Sequence, residues 1–184
     1  DDAEMFTRLQ QEYEEKFHMT WVGKYGFNNT FTVGNVKITL DEAKVTTDGT
    51  PVEGADRVKA NEYHLLPGHT YTKDPTVTVK ANSEACWLFV KVTESENLDT
   101  FITYAIAEGW TELQDGVYYR EVPASNADQT FSVLKGDAVT VNSDVTKEML
   151  TAKDFANPTL TFKAYAVQKD NVASASDAWA KVNP

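Results

Sequence analysis

The residue types that most often carry out catalysis are sparse in this chain: three histidines, His18, His64 and His69, and one cysteine, Cys86. A zinc hydrolase needs three ligands and a general base in fixed geometry, and a helical zinc site shows itself as His-Glu-x-x-His. That spacing does not occur, and no Cys/His cluster replaces it. His64 and His69 could meet across a turn with Glu62 or Asp74 beside them, which would make a weak metal site. Solvated turn histidines are the plainer reading. Neither a Gly-x-Ser-x-Gly elbow nor a glycine-rich phosphate loop is present. With no nucleophile beside a base, hydrolysis has no candidate machinery. The expectation is therefore a non-enzyme with no cofactor and no functional metal.

Carboxylates are plentiful, 28 acidic residues against 17 basic ones, for a formal net charge of -11. "TDGTPVEGAD" and "ESENLD" offer the oxygen ligands calcium takes, but their spacing fits no EF-hand loop, and a solvated acidic surface accounts for them. The negative charge repels phosphate backbones, and no Lys/Arg cluster offsets it locally. Nucleic acid and anionic membrane are accordingly poor expectations as partners. Nothing approaches the roughly 18 consecutive apolar residues of a membrane span, and the acidic start "DDAEMF" does not read as a signal peptide. That leaves a cytosolic protein or a mature chain whose signal has been removed. Cys86 lies in "EACWLFVKV", flanked by large apolar residues, where a thiol is buried and inert. "LPGHT", residues 66–70, superficially resembles a sortase sorting signal but is internal and wrongly ordered. It reads as a tight turn at Pro67-Gly68.

The elements that would position any site are mostly strands. A chain of 184 residues with 41% hydrophobic content suits one domain. "DDAEMFTRLQQEYEEK" has Met5, Phe6, Leu9 and Tyr13 at helical spacing, which predicts a short amphipathic helix over residues 2–16. "FHMTWVGKYGF" then alternates strictly, with Phe17, Met19, Trp21, Gly23, Tyr25 and Phe27 on one face, as a strand does. In "TFTVGNVKITL" the apolar parity switches at Gly34, which a β-bulge there would reconcile. "EYHLL" continues the strand-like pattern, Val77, Val79 and Ala81 alternate, and Cys86 to Val92 is the nearly continuous apolar run of a central strand covered on both faces. "FITYAIA" reads as a strand, "GWTELQDGVYYREV" as a hairpin turning at Asp115-Gly116, and "TFSVLKGDAVTV" and "PTLTFKAYAVQ" as two or three more. A short helix in "NSDVTKEMLTAKDF" would be capped by Asn142, Ser143 or Asp144. A C-terminal helix would dock Trp179 and Val182 and end at Asn183-Pro184. Many short strands with polar turns every 8 to 12 residues predict an all-β fold, a jelly-roll-like β-sandwich with short peripheral helices and an N-terminal extension. The expected division is 1–27, helix plus leading strand, and 28–184, a single jelly-roll domain.

The blocks "NNTFTVGNVKITLDEAKV", "LLPGHTYTKDPTVTVKANSEACWLFVKV", "GWTELQDGVYYREV" and "LTFKAYAVQKDNVASASDAW", in that order over residues 28–182, resemble the TasA/camelysin family of secreted Gram-positive proteins, whose signal peptides are removed by a dedicated signal peptidase. The resemblance implies a jelly-roll subunit of an extracellular fibre, in the biofilm matrix or on the cell surface. It also implies that subunits join by donor-strand complementation. The expected partner is thus another copy of the chain in a head-to-tail homopolymer, with an accessory anchoring or nucleating protein as a second. In that family the mature chain starts close before the "NTFTVGN" block, so residues 1–16 depart from the pattern.

An added strand gains main-chain hydrogen bonds along a sheet edge while its alternate side chains fill pockets. Residues 17–27 have the required pattern, with Phe17, Met19, Trp21, Tyr25 and Phe27 as knobs and Gly23 allowing close approach. The alternative is that this segment is the first strand of its own sandwich. Two further readings stand beside the fibre subunit. Camelysin-type members have been described as metalloproteases, which the residues here do not support. A surface adhesin or glycan-binding domain would use Trp87, Trp110, Tyr118 and Tyr119, although aromatics in strands are more often core.

Overall fold

A computed structural model describes residues 30–182. The predicted helix over 2–16, the strand over 17–27 with Phe17, Met19, Trp21, Gly23, Tyr25 and Phe27, and the terminal Asn183-Pro184 lie outside the described residues. Within them the chain is all-β with a few short helices, as its alternation predicts. The largest sheet has five strands in the order β1 (Thr30–Val33), β11 (Leu160–Gln168), β5 (Cys86–Glu94), β8 (Val117–Val122) and β7 (Thr111–Gln114). All neighbours in it are antiparallel except β1 and β11, which run parallel. Two three-stranded antiparallel sheets complete the set. One has the order β2 (Ile38–Asp41), β4 (Thr76–Val79), β9 (Gln129–Ser132); the other β3 (Thr70–Thr72), β10 (Ala138–Val141), β6 (Ile102–Thr103).

The apolar run at Cys86–Val90 becomes the middle of the five-stranded sheet, where every residue is buried because both faces are covered. Side chains alternate across the pleat. Cys86, Leu88 and Val90 with Leu160, Phe162, Ala164 and Ala166 join Ile38, Leu40, Val77, Val79, Tyr71, Val139 and Val141 of the smaller sheets in one cluster. Trp87 and Phe89 point the other way with Val167 and meet the helix α3 (Ala175–Val182) through Ala178, Trp179 and Val182. The docking of Trp179 and Val182 is as expected. Ser174 caps that helix, accepting the Asp177 N–H at 3.1 Å. Burial pushes the Cys86 thiol up to about 12, consistent with an inert core position.

Other local expectations hold in altered form. The hairpin does turn at Asp115-Gly116, with Gly116 at φ 72. The parity switch at Gly34 is no bulge inside one strand. The chain leaves the five-stranded sheet at Val33 and enters a different sheet at Ile38, so each parity belongs to its own sheet. Gly34 (φ 94) turns against β11, where an added Cβ would fall 2.5 Å from Cβ of Gln168. "FITYAIA" is not one strand. Phe101 ends the helical turn α1 (Leu98–Phe101), only Ile102–Thr103 pair, and Ile106 makes an isolated bridge to Leu134. "EYHLL" is irregular backbone rather than a strand, although Tyr63 and Leu65 are buried. β4 stops at Val79, short of Ala81.

The helix α2 (Lys147–Thr151) is capped by Thr146, whose Oγ1 accepts the Met149 N–H at 3.3 Å. Asn142 does other work: its amide donates to the Asp99 and Thr100 carbonyls at 2.9 and 3.0 Å and closes the exposed end of α1. Among the described residues no helix is long and apolar enough to cross a membrane.

Candidate functional site

A protein that joins others by strand exchange needs a sheet margin whose backbone groups are available, and most margins here are blunted in ways that native sheets use against such pairing. β7 carries a register irregularity between Glu112 and Gln114, which twists the edge away. β3 and β6 are only three and two residues long.

On β2, the Lys80 N–H reaches the Lys37 carbonyl at 2.8 Å. Antiparallel alternation therefore turns the Ile38 and Leu40 backbone away from β4. The Leu40 carbonyl on that outer side is taken by Lys59 Nζ at 2.8 Å, and Arg57 Nη2 covers the Asp41 carbonyl at 3.2 Å. Arg57 is itself held by Asp41 and by Asp74 at 3.1 Å; against a partial desolvation that would lower it, the hydrogen bonds to these two carboxylates raise its guanidinium above the usual value. On β9, the Ser132 carbonyl accepts Trp110 Nε1 at 2.8 Å.

All nine residues of β11 pair with β5 on one side, and on the other Ala164–Val167 pair with Thr30–Val33 of β1, Thr30 being the first described residue. Leu160 and Phe162 anchor the first half of β11 in the core.

The histidines and the acidic stretches do not converge on a metal site among the described residues. Among the described residues no group of three or more His, Cys, Asp or Glu side chains could hold a metal ion, so His64 and His69 do not assemble one with Glu62 or Asp74. Asp74 instead binds Arg57 and accepts the Ala43 N–H. The calcium-like stretches are engaged internally. Thr46 donates to Asp48, and Asn97 Nδ2 donates to the Ala156 carbonyl at 2.7 Å. Gly68 (φ 74) makes the expected tight turn.

A cleft of about 480 Å³ is lined by Glu94, Asp99, Tyr104, Asp115 and Tyr118 among others. The Tyr104 hydroxyl donates to Glu94 there. Burial first, then that carboxylate, push Tyr104 above the usual tyrosine value.

The four aromatics considered for glycan binding fall on opposite faces of the five-stranded sheet. Trp87 and Tyr119 lie 6.0 Å apart with their rings tilted on the α3 side, while Trp110 and Tyr118 pack against the inter-sheet core. Trp110 lies under the Arg120 guanidinium at 5.2 Å. They form no common platform. Comparison with protein-family models, with curated proteins and with solved structures gives no match.

Proposed function

We propose that the chain is a structural subunit of an extracellular protein fibre, of biofilm matrix or Gram-positive cell surface, which grows by donor-strand complementation. Phe17, Met19, Trp21, Gly23, Tyr25 and Phe27 form the donor strand, and a sheet margin of a neighbouring copy is the acceptor. The domain is a jelly-roll sandwich, the partner is a second copy of the chain, and no enzymatic step is involved.

The observation that carries this reading is the strict alternation of residues 17–27, which come in sequence just before β1, the strand that pairs in parallel with β11 of the five-stranded sheet. The resemblance of residues 28–182 to secreted fibre subunits supports it as well. Each ladder hydrogen bond contributes about 1 kcal/mol net. Each large apolar knob that finds a pocket adds roughly 1.5–3 kcal/mol.

Deleting residues 1–27 and imaging by negative stain tests it. The full chain is expected to form thin regular filaments and the truncated chain none. The truncated chain is further expected to remain monomeric and to melt at a higher temperature when a synthetic 17–27 peptide is added, because a ligand of the folded state stabilises it. Filaments that persist after the deletion remove this segment as donor.

A further inference from the structure

Three polar side chains meet in the middle of the apolar core. Lys73 and Glu42 show no side-chain exposure at all, and Asn61 is 7% exposed. One carboxyl joins them. Lys73 Nζ lies 2.8 Å from Glu42 Oε2, and Asn61 Nδ2 donates to Glu42 Oε1 at 2.9 Å. The other proton of Nδ2 goes to the Ala43 carbonyl at 2.8 Å, and Asn61 Oδ1 accepts the Val45 N–H at 2.9 Å. The amide is thus fixed in plane and its carbonyl is polarised by a backbone donor. Aromatic rings enclose the amine, Tyr63 at 5.6 Å and Phe162 at 5.9 Å from Nζ to the ring centres.

A buried charge pair can be purely structural, but it then contributes little net stability against an apolar replacement. This cluster holds more than a pair. It has an amine, a side-chain amide, a donor to the amide oxygen, and one carboxyl touching both the amine and the amide nitrogen. Water, which would compete for the carbonyl, is kept out. Those are the parts of an acyl transfer.

We propose that Lys73 and Asn61 are joined by an intramolecular isopeptide bond, formed by the folded chain itself with Glu42 as the proton carrier. Burial pulls the Lys73 amine below its usual value, against the opposing pull of Glu42, and so favours passing a proton to the carboxylate. The neutral Nζ then attacks Cγ of Asn61. The carbonyl π pair moves onto Oδ1, held by the Val45 N–H. Glu42 delivers its proton to Nδ2 through Oε1 and takes one from Nζ through Oε2. The Oδ1 lone pair re-forms the carbonyl as the Cγ–Nδ2 bond breaks and ammonia departs. One C–N bond forms, one breaks, and nothing is oxidised or reduced.

Lys73 and Asn61 lie in one stretch, "NEYHLLPGHTYTK", so the product is a ring closed within a single segment. Denaturing intact-mass measurement of the full chain, followed by digestion, reads it directly. The expected mass is below that of the sequence by one ammonia, and trypsin is expected not to cut after Lys73. Chymotrypsin, cutting inside the ring after Tyr63, Leu65 or Tyr71, is expected to leave the fragments joined. Lys73→Arg and Glu42→Gln are both expected to show the full sequence mass. Full mass with normal cleavage after Lys73 in the unaltered chain overturns the proposal and leaves a structural ion pair. So does an ammonia loss that persists in Lys73→Arg, the mark of a succinimide at an asparagine. Retention of the ring in Glu42→Gln removes Glu42 as the proton carrier. If Glu42→Gln fails to fold, the digest of the unaltered chain decides alone.

Discussion

On one face of the five-stranded sheet, Leu88, Val90, Phe162 and Ala164 meet side chains from two further sheets. On the other, Trp87, Phe89, Tyr119 and Tyr165 meet a single helix of eight residues. The first face is closed from several directions by strands distant in sequence, and it encloses the Lys73–Glu42 pair. The second is closed by rings: Phe89 and Tyr165 each lie 5.2 Å from Trp179. The difference teaches where cooperativity resides. A lesion on the first face opens every sheet at once, whereas one on the second can release α3 while the sheets stay shut.

The largest effect is expected where the first face holds charge. Lys73→Met removes the bond to Asn61 and leaves the Glu42 carboxyl buried without its Nζ partner, and should lower stability by about 5 kcal/mol, read from the midpoint of urea unfolding. Lys73→Met combined with Glu42→Leu also removes the unpartnered carboxyl and should recover the part of that loss due to its burial, though not the part due to the missing bond. A double variant no better than the single one would mean that Asn61 and the surrounding backbone depend on the carboxylate for their own hydrogen bonds.

The next comparison sets one large residue on each face against the other. Leu88→Ala, at a fully buried position between the sheets, should cost about 4 kcal/mol and shift all spectroscopic probes together. Trp179→Ala should cost about 3 kcal/mol, with hydrogen-exchange protection lost first over residues 172–182. Trp179 Nε1 is buried and has no hydrogen-bond partner among the described residues, unlike Trp87 Nε1, which donates to the Val172 carbonyl at 3.1 Å. Trp179→Phe should therefore be milder than Trp87→Phe. Equal loss of protection across the whole chain in Trp179→Ala would erase the distinction between the faces.

The alternation that made the strands legible also carried a signal for the core cluster. From Tyr71 to Val79 every second residue is buried without a break, and Lys73 sits on the inward parity with Tyr71, Val77 and Val79. Glu42 likewise follows Val36, Ile38 and Leu40 on theirs. Two opposite charges on inward parities of separate strands point to a buried pair. What a linear pattern cannot show is that β2 and β3 bring them to one place, or that Asn61, in irregular backbone, completes the set.

The central strand, the 115–116 hairpin and α3 could be read because each is specified by residues within its own span. Gly34 misled because a change of parity looks the same whether a strand bulges or the chain changes sheets. Asn142 was taken for a local cap because its partners, the carbonyls of α1, lie some forty residues earlier. The parallel pairing of β1 with β11 was equally hidden, since the two strands lie far apart in the sequence. Residues 17–27 fall outside the described residues, so their pattern is known from the sequence alone.

The smallest effect belongs to a pair chemically like Lys73–Glu42 but on the surface. Lys80 Nζ and Asp128 Oδ2 are 2.5 Å apart with side chains 44% and 43% exposed. The Lys80 hydrogen bond, then the Ala81 N–H at 2.8 Å, hold the Asp128 carboxyl below its ordinary value of 3.8. A carboxyl with a depressed folded-state value stabilises the fold above the unfolded value and loses that contribution as pH falls through the folded one. Asp128→Asn should therefore lower the melting temperature at pH 7 by at most about 2 °C, because solvent and salt screen an exposed pair. The gap between the two proteins should close as the pH is taken below the folded value of Asp128, where the native carboxyl is itself protonated. It should also narrow in 1 M salt, where the screening length is about 3 Å, while the effect of Lys73→Met stays unchanged because no solvent reaches that pair. A salt response of equal size at both sites would mean that water enters the core beside Lys73.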